Sequence, residues 1–249
     1  MTGCVALRAP GRIKGLLVCL AVIVMVPAMA QSSLLPEGSS DIEVGAVIGT
    51  APSAPGSASR SAFLLPQFSA QWDNGVFVDG LALGVQLSGR PLLKYGALVA
   101  LDLGTQHSGG RRSGVRPVLG AFVDYEPLRE LSLHAQLTAP AGEDGSGVLV
   151  NARASTGGSV GAHASVTTGI GFNLADARYM QATFGAGDYR PGWGVRDIHA
   201  DVRWYWQMSR KMTLTASLQV SRLQGDAAAS PRTQRRTGVT NWLALGYSY

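Results

Sequence analysis

The sequence predicts an all-β protein: a transmembrane, antiparallel, up-and-down β-barrel of about twelve strands, within a range of about 10–14. Three observations carry that prediction. Most of the chain beyond residue 30 alternates polar and apolar residues, and a period of two places one set on each face of a sheet. The polar face carries charge along its length, which a wet interior accepts and a dry core accepts only when every charge is paired. The N-terminus has the form of an export signal.

The leader comes first. Arg8, Arg12 and Lys14 precede an apolar run of thirteen residues, "GLLVCLAVIVMVP" (15–27), and "AMA" then supplies the small-x-small pattern of a signal peptidase site. That run is too short for a membrane-spanning helix, which needs about 20 residues. Cleavage is expected after Ala30, leaving residues 31–249 as one barrel domain. Cys19 follows Val18 inside the apolar run, which does not suit a lipid-modified cysteine. Both cysteines, Cys4 and Cys19, fall in the leader, so the processed chain holds no disulfide, thiol nucleophile or cysteine metal site. Removing three basic residues leaves 18 basic against 16 acidic side chains, a net charge of +2. No concentrated basic face marks a nucleic-acid partner.

Alternation predicts strands over 42–48, 62–72, 75–87, 92–103, 115–125, 130–139, 148–156, 160–172, 179–185, 195–208 and 211–223, and a closing strand over 241–249. Turn signals lie between them at "WDNG" (72–75), "SGRP" (88–91) and "TGGS" (156–159), with longer loops at 50–61, 104–113, 186–194 and 224–236. A soluble sandwich also alternates, with its apolar face inward. Segments of ten or more residues favour a membrane barrel, as do Trp72, Trp204, Trp206, Tyr247 and Tyr249 near strand ends, where interfacial girdles sit. So do Lys94, Asp102, Arg116, Asp124, Arg153, Asp197, Asp201 and Arg203 on the expected lumen face. Closure would also remove the sheet edges that lipid forbids.

The chain ends on "NWLALGYSY". Leu243, Leu245, Tyr247 and Tyr249 share one phase, a pattern similar to the terminal strand that the barrel assembly machinery of the bacterial outer membrane reads. The expected location is therefore the outer membrane, with outer-membrane lipid and lipopolysaccharide around the barrel. If the last strand ends in the periplasm, "SRK" (209–211) is a periplasmic turn and 224–236 an external loop. The strand order above then puts the short 126–129 and 157–158 connections outside and the longer 104–113 inside. That reverses the usual pattern of short periplasmic turns and long external loops.

The C-terminal third resembles the family of the MltA-interacting protein, also called MipA/OmpV. The resemblance rests on "YMQATFG" (179–185), "GWGVRDI" (192–198), "SRLQGDAAASP" (221–231) and the terminal "ALGYSY"; "LLPQFSAQWDNGVFVDG" (64–80) matches more loosely. It implies an outer-membrane barrel. It further implies a scaffold that tethers a murein-cleaving lytic transglycosylase to a murein-synthesising penicillin-binding protein. Other family members are described as porin-like or adhesive. The resemblance brings no catalytic residues. The central loops, such as 104–113, are shorter than the family implies.

Four features could carry chemistry. "DIHAD" sets Asp197, His199 and Asp201 on one strand face with Arg203; two carboxylates and an imidazole could hold a divalent metal or act as a protease pair. The plainer reading is a lumen charge ladder paired with Arg203, Arg222 or Arg153. His163 and Ser165 are two apart, as in outer-membrane phospholipases, but their phase faces the lumen and only Asn173 is near in sequence. Arg111–Arg112 and Arg235–Arg236 could meet lipopolysaccharide phosphates or simply solvate loops. "GAGDYRPGWG" (185–194) reads as a flexible external loop, not a phosphate loop, because no strand–helix frame surrounds it. The expectation is a non-enzymatic barrel with no cofactor, metal or catalytic residue: a scaffold first, a small-solute porin as the alternative, an outer-membrane hydrolase last.

Overall fold

The computed structural model describes residues 40–88, 90, 92–102, 116–141 and 147–248. The leader, residues 104–113 with Arg111–Arg112, and Tyr249 lie outside them. The described chain forms β1 (Ser40–Pro52), β2 (Arg60–Trp72), β3 (Val76–Asp79), β4 (Ala82–Gln86), β5 (Leu93–Asp102), β6 (Arg116–Leu128), β7 (Leu131–Pro140), β8 (Leu149–Ser159) and β9 (Ala164–Ala175). Helix α1 (Ala177–Phe184), β10 (Gly194–Gln207), β11 (Met212–Leu223), α2 (Gly225–Ala229) and β12 (Thr237–Ser248) follow. Each strand pairs antiparallel with its sequence neighbour, and β12 pairs back onto β1 to close the barrel.

The described residues form twelve strands, but not the twelve expected. Residues 75–87 form two strands, because Gly80 and Leu81 turn the chain between β3 and β4, with Gly80 at φ +57°. Glycine at the first of two loop positions, with positive φ, is the signature of a type II′ hairpin turn. The expected strand at 179–185 is helical through Phe184 instead, since Asp176 caps α1 by accepting a 2.7 Å hydrogen bond from the Tyr179 N–H. The turn expected at 156–159 lies at 160–163, and β8 runs on through both glycines.

The two changes cancel in the count and invert the central hairpins. The turns 73–75, 129–130, 160–163 and 208–211 now share one end with Ser40 and Ser248, the outer ends of β1 and β12. The 53–59, 176–193 and 224–236 connections, and the ends of β5 and β6 that bracket 104–113, share the other. The expected reversal disappears, and the 80–81 turn is a short exception at the long end.

The faces segregate as the alternation requires. Leu64, Leu119, Ile170, Leu218, Leu243 and Leu245 point outward and are exposed. Trp72, Tyr95, Tyr125, Trp204, Trp206 and Tyr247 lie on that outer face near the short-turn end, and the Trp204 and Trp206 rings stack at 5.8 Å. Together they form an interfacial girdle. The lumen face carries many glycines, over which neighbouring side chains lie. A Cβ on Gly84 would strike the Phe77 ring, and one on Gly96 the Phe122 ring; these rings meet edge-on at 5.6 Å. The fully buried apolar cluster sits at the long-loop mouth, around Met180 and Phe184.

Candidate functional site

The lumen wall between β6 and β10 is a set of polar rungs. Asp124 on β6 faces His134 on β7, with Oδ1 2.6 Å from Nδ1. Arg153 on β8 reaches past β9 and donates to both Asp201 oxygens on β10, at 2.8 and 2.6 Å. It crosses where Gly169 leaves room: a Cβ there would lie 2.5 Å from the guanidinium. One rung nearer the long-loop mouth, Asn151 donates to Asn173 at 3.0 Å, and Asn173 donates to Asp197 at 2.9 Å.

A β-bulge between Val195 and Asp197 lets two consecutive residues join this network. Arg196 donates to Asp197 at 2.5 Å and to the Tyr179 hydroxyl of α1 at 2.6 Å, with its guanidinium 5.5 Å from the Tyr179 ring centre. The rungs thus continue into the connections above the barrel.

Those connections form a packed cap. Met180 and Phe184 of α1 pack with Ala227 of α2 against Ala175 and Leu223 at the lumen rim, all buried. Burying each of the two large side chains is worth about 1.5–3 kcal/mol. Ser230 Oγ donates to the Phe184 carbonyl at 2.6 Å, Tyr189 OH to the Asp226 carbonyl at 2.8 Å, and the Gly192 N–H to the Asp226 carboxylate at 2.8 Å. Gln234 joins the cap to the β1–β2 connection through Gly56 and Ala58. The segment 185–194, expected to be a free loop, is therefore tied down, with Pro191 fully buried and Trp193 left 80% exposed.

Several expected groupings change. Asp197, His199 and Asp201 do share the lumen face, but both carboxylates are taken by arginines and Asn173. His199 Nδ1 stands 3.5 Å from Asp197 and makes no hydrogen bond. Among the described residues no three His, Cys, Asp or Glu side chains are arranged to hold a metal ion. Arg203 is exposed toward the short-turn end, 5.6 Å from the Trp242 ring. Arg222 is not in the ladder: it pairs with Ile198 across the strands and so points outward. His163 sits in the β8–β9 turn rather than on a strand, and Asn173 belongs to the far end of β9. Leu243, Leu245 and Tyr247 all face outward on the closing strand.

The polar rungs through Asn151 and Asn173 lay on polar strand phases but carried no charge to mark them. The inward turn of Arg196 depends on a bulge that alternation hides. What the geometry defines is an outer-membrane β-barrel whose lumen wall carries charged rungs and which is capped at its long-loop end.

The match with known proteins agrees. The chain belongs to the MltA-interacting protein MipA family, whose model matches residues 44–249. No curated protein sequence matches it. The NanC porin shares the fold at a TM-score of 0.52, with 9% identity over 82% of this chain and 98% of that one. An outer membrane channel from Pseudomonas putida F1 is more distant, with a TM-score of 0.45 and 13% identity over 89% of this chain and 99% of that one. The protein is located in the outer membrane. The three strings through which the family is legible, 179–185, 192–198 and 221–231, converge in space to build the cap and its link to the rungs.

Proposed function

We propose that this barrel is a non-enzymatic scaffold of the outer membrane, closed to free diffusion by its cap, that holds a murein-cleaving lytic transglycosylase at its periplasmic end. One observation carries the closed-lumen part. Side chains lining a water-filled pore are wetted, yet Asp197 and His199 are 3–7% exposed beneath the cap. Their burial supports a strut more than a conduit. The partner comes from the family's description as MltA-interacting; linkage to a murein synthase extends that reading. The outward phase of Leu243, Leu245 and Tyr247 supports their role as the assembly signal, with residues 1–30 as the leader removed before it is read.

The test immobilises the barrel in detergent and passes solubilised envelope extract over it at a salt concentration that strips non-specific charge contacts. Recovery of a lytic transglycosylase, alone or with a penicillin-binding protein, is expected. Recovery of neither contradicts the scaffold.

A small-solute channel is the second reading. It is favoured by the wetter lumen toward the short-turn end, where Arg203 and the Lys94–Glu126 pair, 3.9 Å apart, remain accessible.

A further inference from the structure

The outer wall of the barrel carries a groove of about 840 Å³, running across the strands from β6 to β11. Its form follows from the register. Two adjacent cross-strand rows pass over these six strands. One begins at Tyr125 and ends at Val220; the other begins at Val123 and ends at Arg222. Along these rows the side chains shrink to Ala135, Ala152 and Ala154 on β7 and β8, and to Ala200 on β10 beyond Ile170 and Phe172 of β9. Leu133 and Ile198 stand up beside these alanines and Ile170 and Phe172 between them, each at least 38% exposed, so that the alanines form the low points of the groove floor. Six strands at a spacing of about 4.8 Å make the groove roughly 24 Å long. Because barrel strands are tilted, a path across them runs obliquely through the bilayer, from the long-loop rim toward the opposite interface.

Arg222 closes the end at the long-loop rim. It is exposed, and among the described residues its guanidinium forms no hydrogen bond or ion pair. A free cation at the head of an apolar groove on a lipid-facing wall calls for an amphiphile with an anionic head. The long connections mark this rim as the external one, so the lipid that meets it is that of the outer leaflet.

We propose that this groove is a specific lipopolysaccharide site, in which one acyl chain of the lipid lies over the alanine floor and a glucosamine phosphate pairs with Arg222. Guanidinium–phosphate contacts of this kind are charge-assisted and bidentate. The alanines are what make the site: any larger residue fills the groove and leaves only ordinary bilayer contact.

The test uses the full-length protein purified from outer membranes in detergent, with purified hexa-acylated lipid A as the probe and native mass spectrometry to count retained lipid. Wild type is expected to hold one lipid A against competing detergent. Arg222→Gln is expected to weaken retention about tenfold, the loss of one charged hydrogen-bonding contact. Ala200→Leu is expected to abolish it, while Leu218→Ala, outside the groove, leaves it unchanged. Heat-modifiable gel mobility confirms that each variant is folded; Arg222→Gln alters only a surface side chain and decides the matter if Ala200→Leu does not fold. Equal retention by wild type and Arg222→Gln overturns the proposal. So does phosphatidylglycerol bound as tightly as lipid A with the same dependence on Arg222, which would make the groove a phospholipid site.

Discussion

Arg153 and Asp201 sit on strands that are not neighbours, yet they form a charged bridge along the lumen wall, two hydrogen bonds of 2.8 and 2.6 Å passing over Gly169. The pair ties β8 to β10 and skips β9. Both side chains are largely buried, at 21% and 10% exposure.

Removing one partner strands the other. Arg153→Ala leaves a buried carboxylate unpaired and is expected to lower stability by about 3 kcal/mol. Replacing both together, as Arg153→Met with Asp201→Leu, is expected to recover most of that loss. Urea unfolding of the refolded barrel in lipid vesicles, followed by Trp fluorescence, measures both. Additive losses in the double variant would show that the two do not act as a pair.

Gly169 is the passage for this bridge. Gly169→Val places side-chain atoms where the guanidinium now runs. It is expected to destabilise the wild type by about 2 kcal/mol, within the range of overpacking, and to cost far less in the Arg153→Ala background. A double-mutant cycle reads the coupling. Equal losses in both backgrounds would mean that Gly169 serves the backbone instead.

The cap has its own fastening. Ser230→Ala leaves the buried Phe184 carbonyl without its 2.6 Å partner and is expected to cost about 1–2 kcal/mol. The loss should be local. Hydrogen exchange is expected to quicken in α1 and α2 and stay unchanged in β2 and β5. Uniform quickening would show that cap and barrel unfold as one unit.

Orientation can be read chemically. Trp193, 80% exposed in the cap, and Arg210, in the β10–β11 turn, lie at opposite ends. Trp193→Cys is expected to react on intact cells with a maleimide too large for porins. Arg210→Cys is expected to react only after the outer membrane is breached. The opposite pattern would invert the barrel.

The barrel itself was legible because a two-sided sheet in lipid must alternate, and ten of the expected strands lie where alternation puts them. The errors came where a second signal outweighed alternation. "FVDGLAL" alternates through a turn, but Gly80–Leu81 breaks the strand into β3 and β4. "YMQATFG" alternates as well, yet Asp176 ahead of it supplies the cap that starts α1. In the candidate site, Arg153, Asp197 and Asp201 were visible as polar-phase charges. Arg222 was assigned to the ladder although its phase is that of Val220, and it faces outward. The cap was visible only as family-like strings. Nothing local in "SRLQGDAAASP" says that Ser230 reaches Phe184, 46 residues away.

The most direct test of the closed lumen is single-channel recording in planar bilayers. The wild-type barrel is expected to be electrically quiet, and Phe184→Ala, which empties the core of the cap, is expected to introduce conductance steps. Steady wild-type steps that change with Asp201→Asn would contradict the account and make the protein a channel.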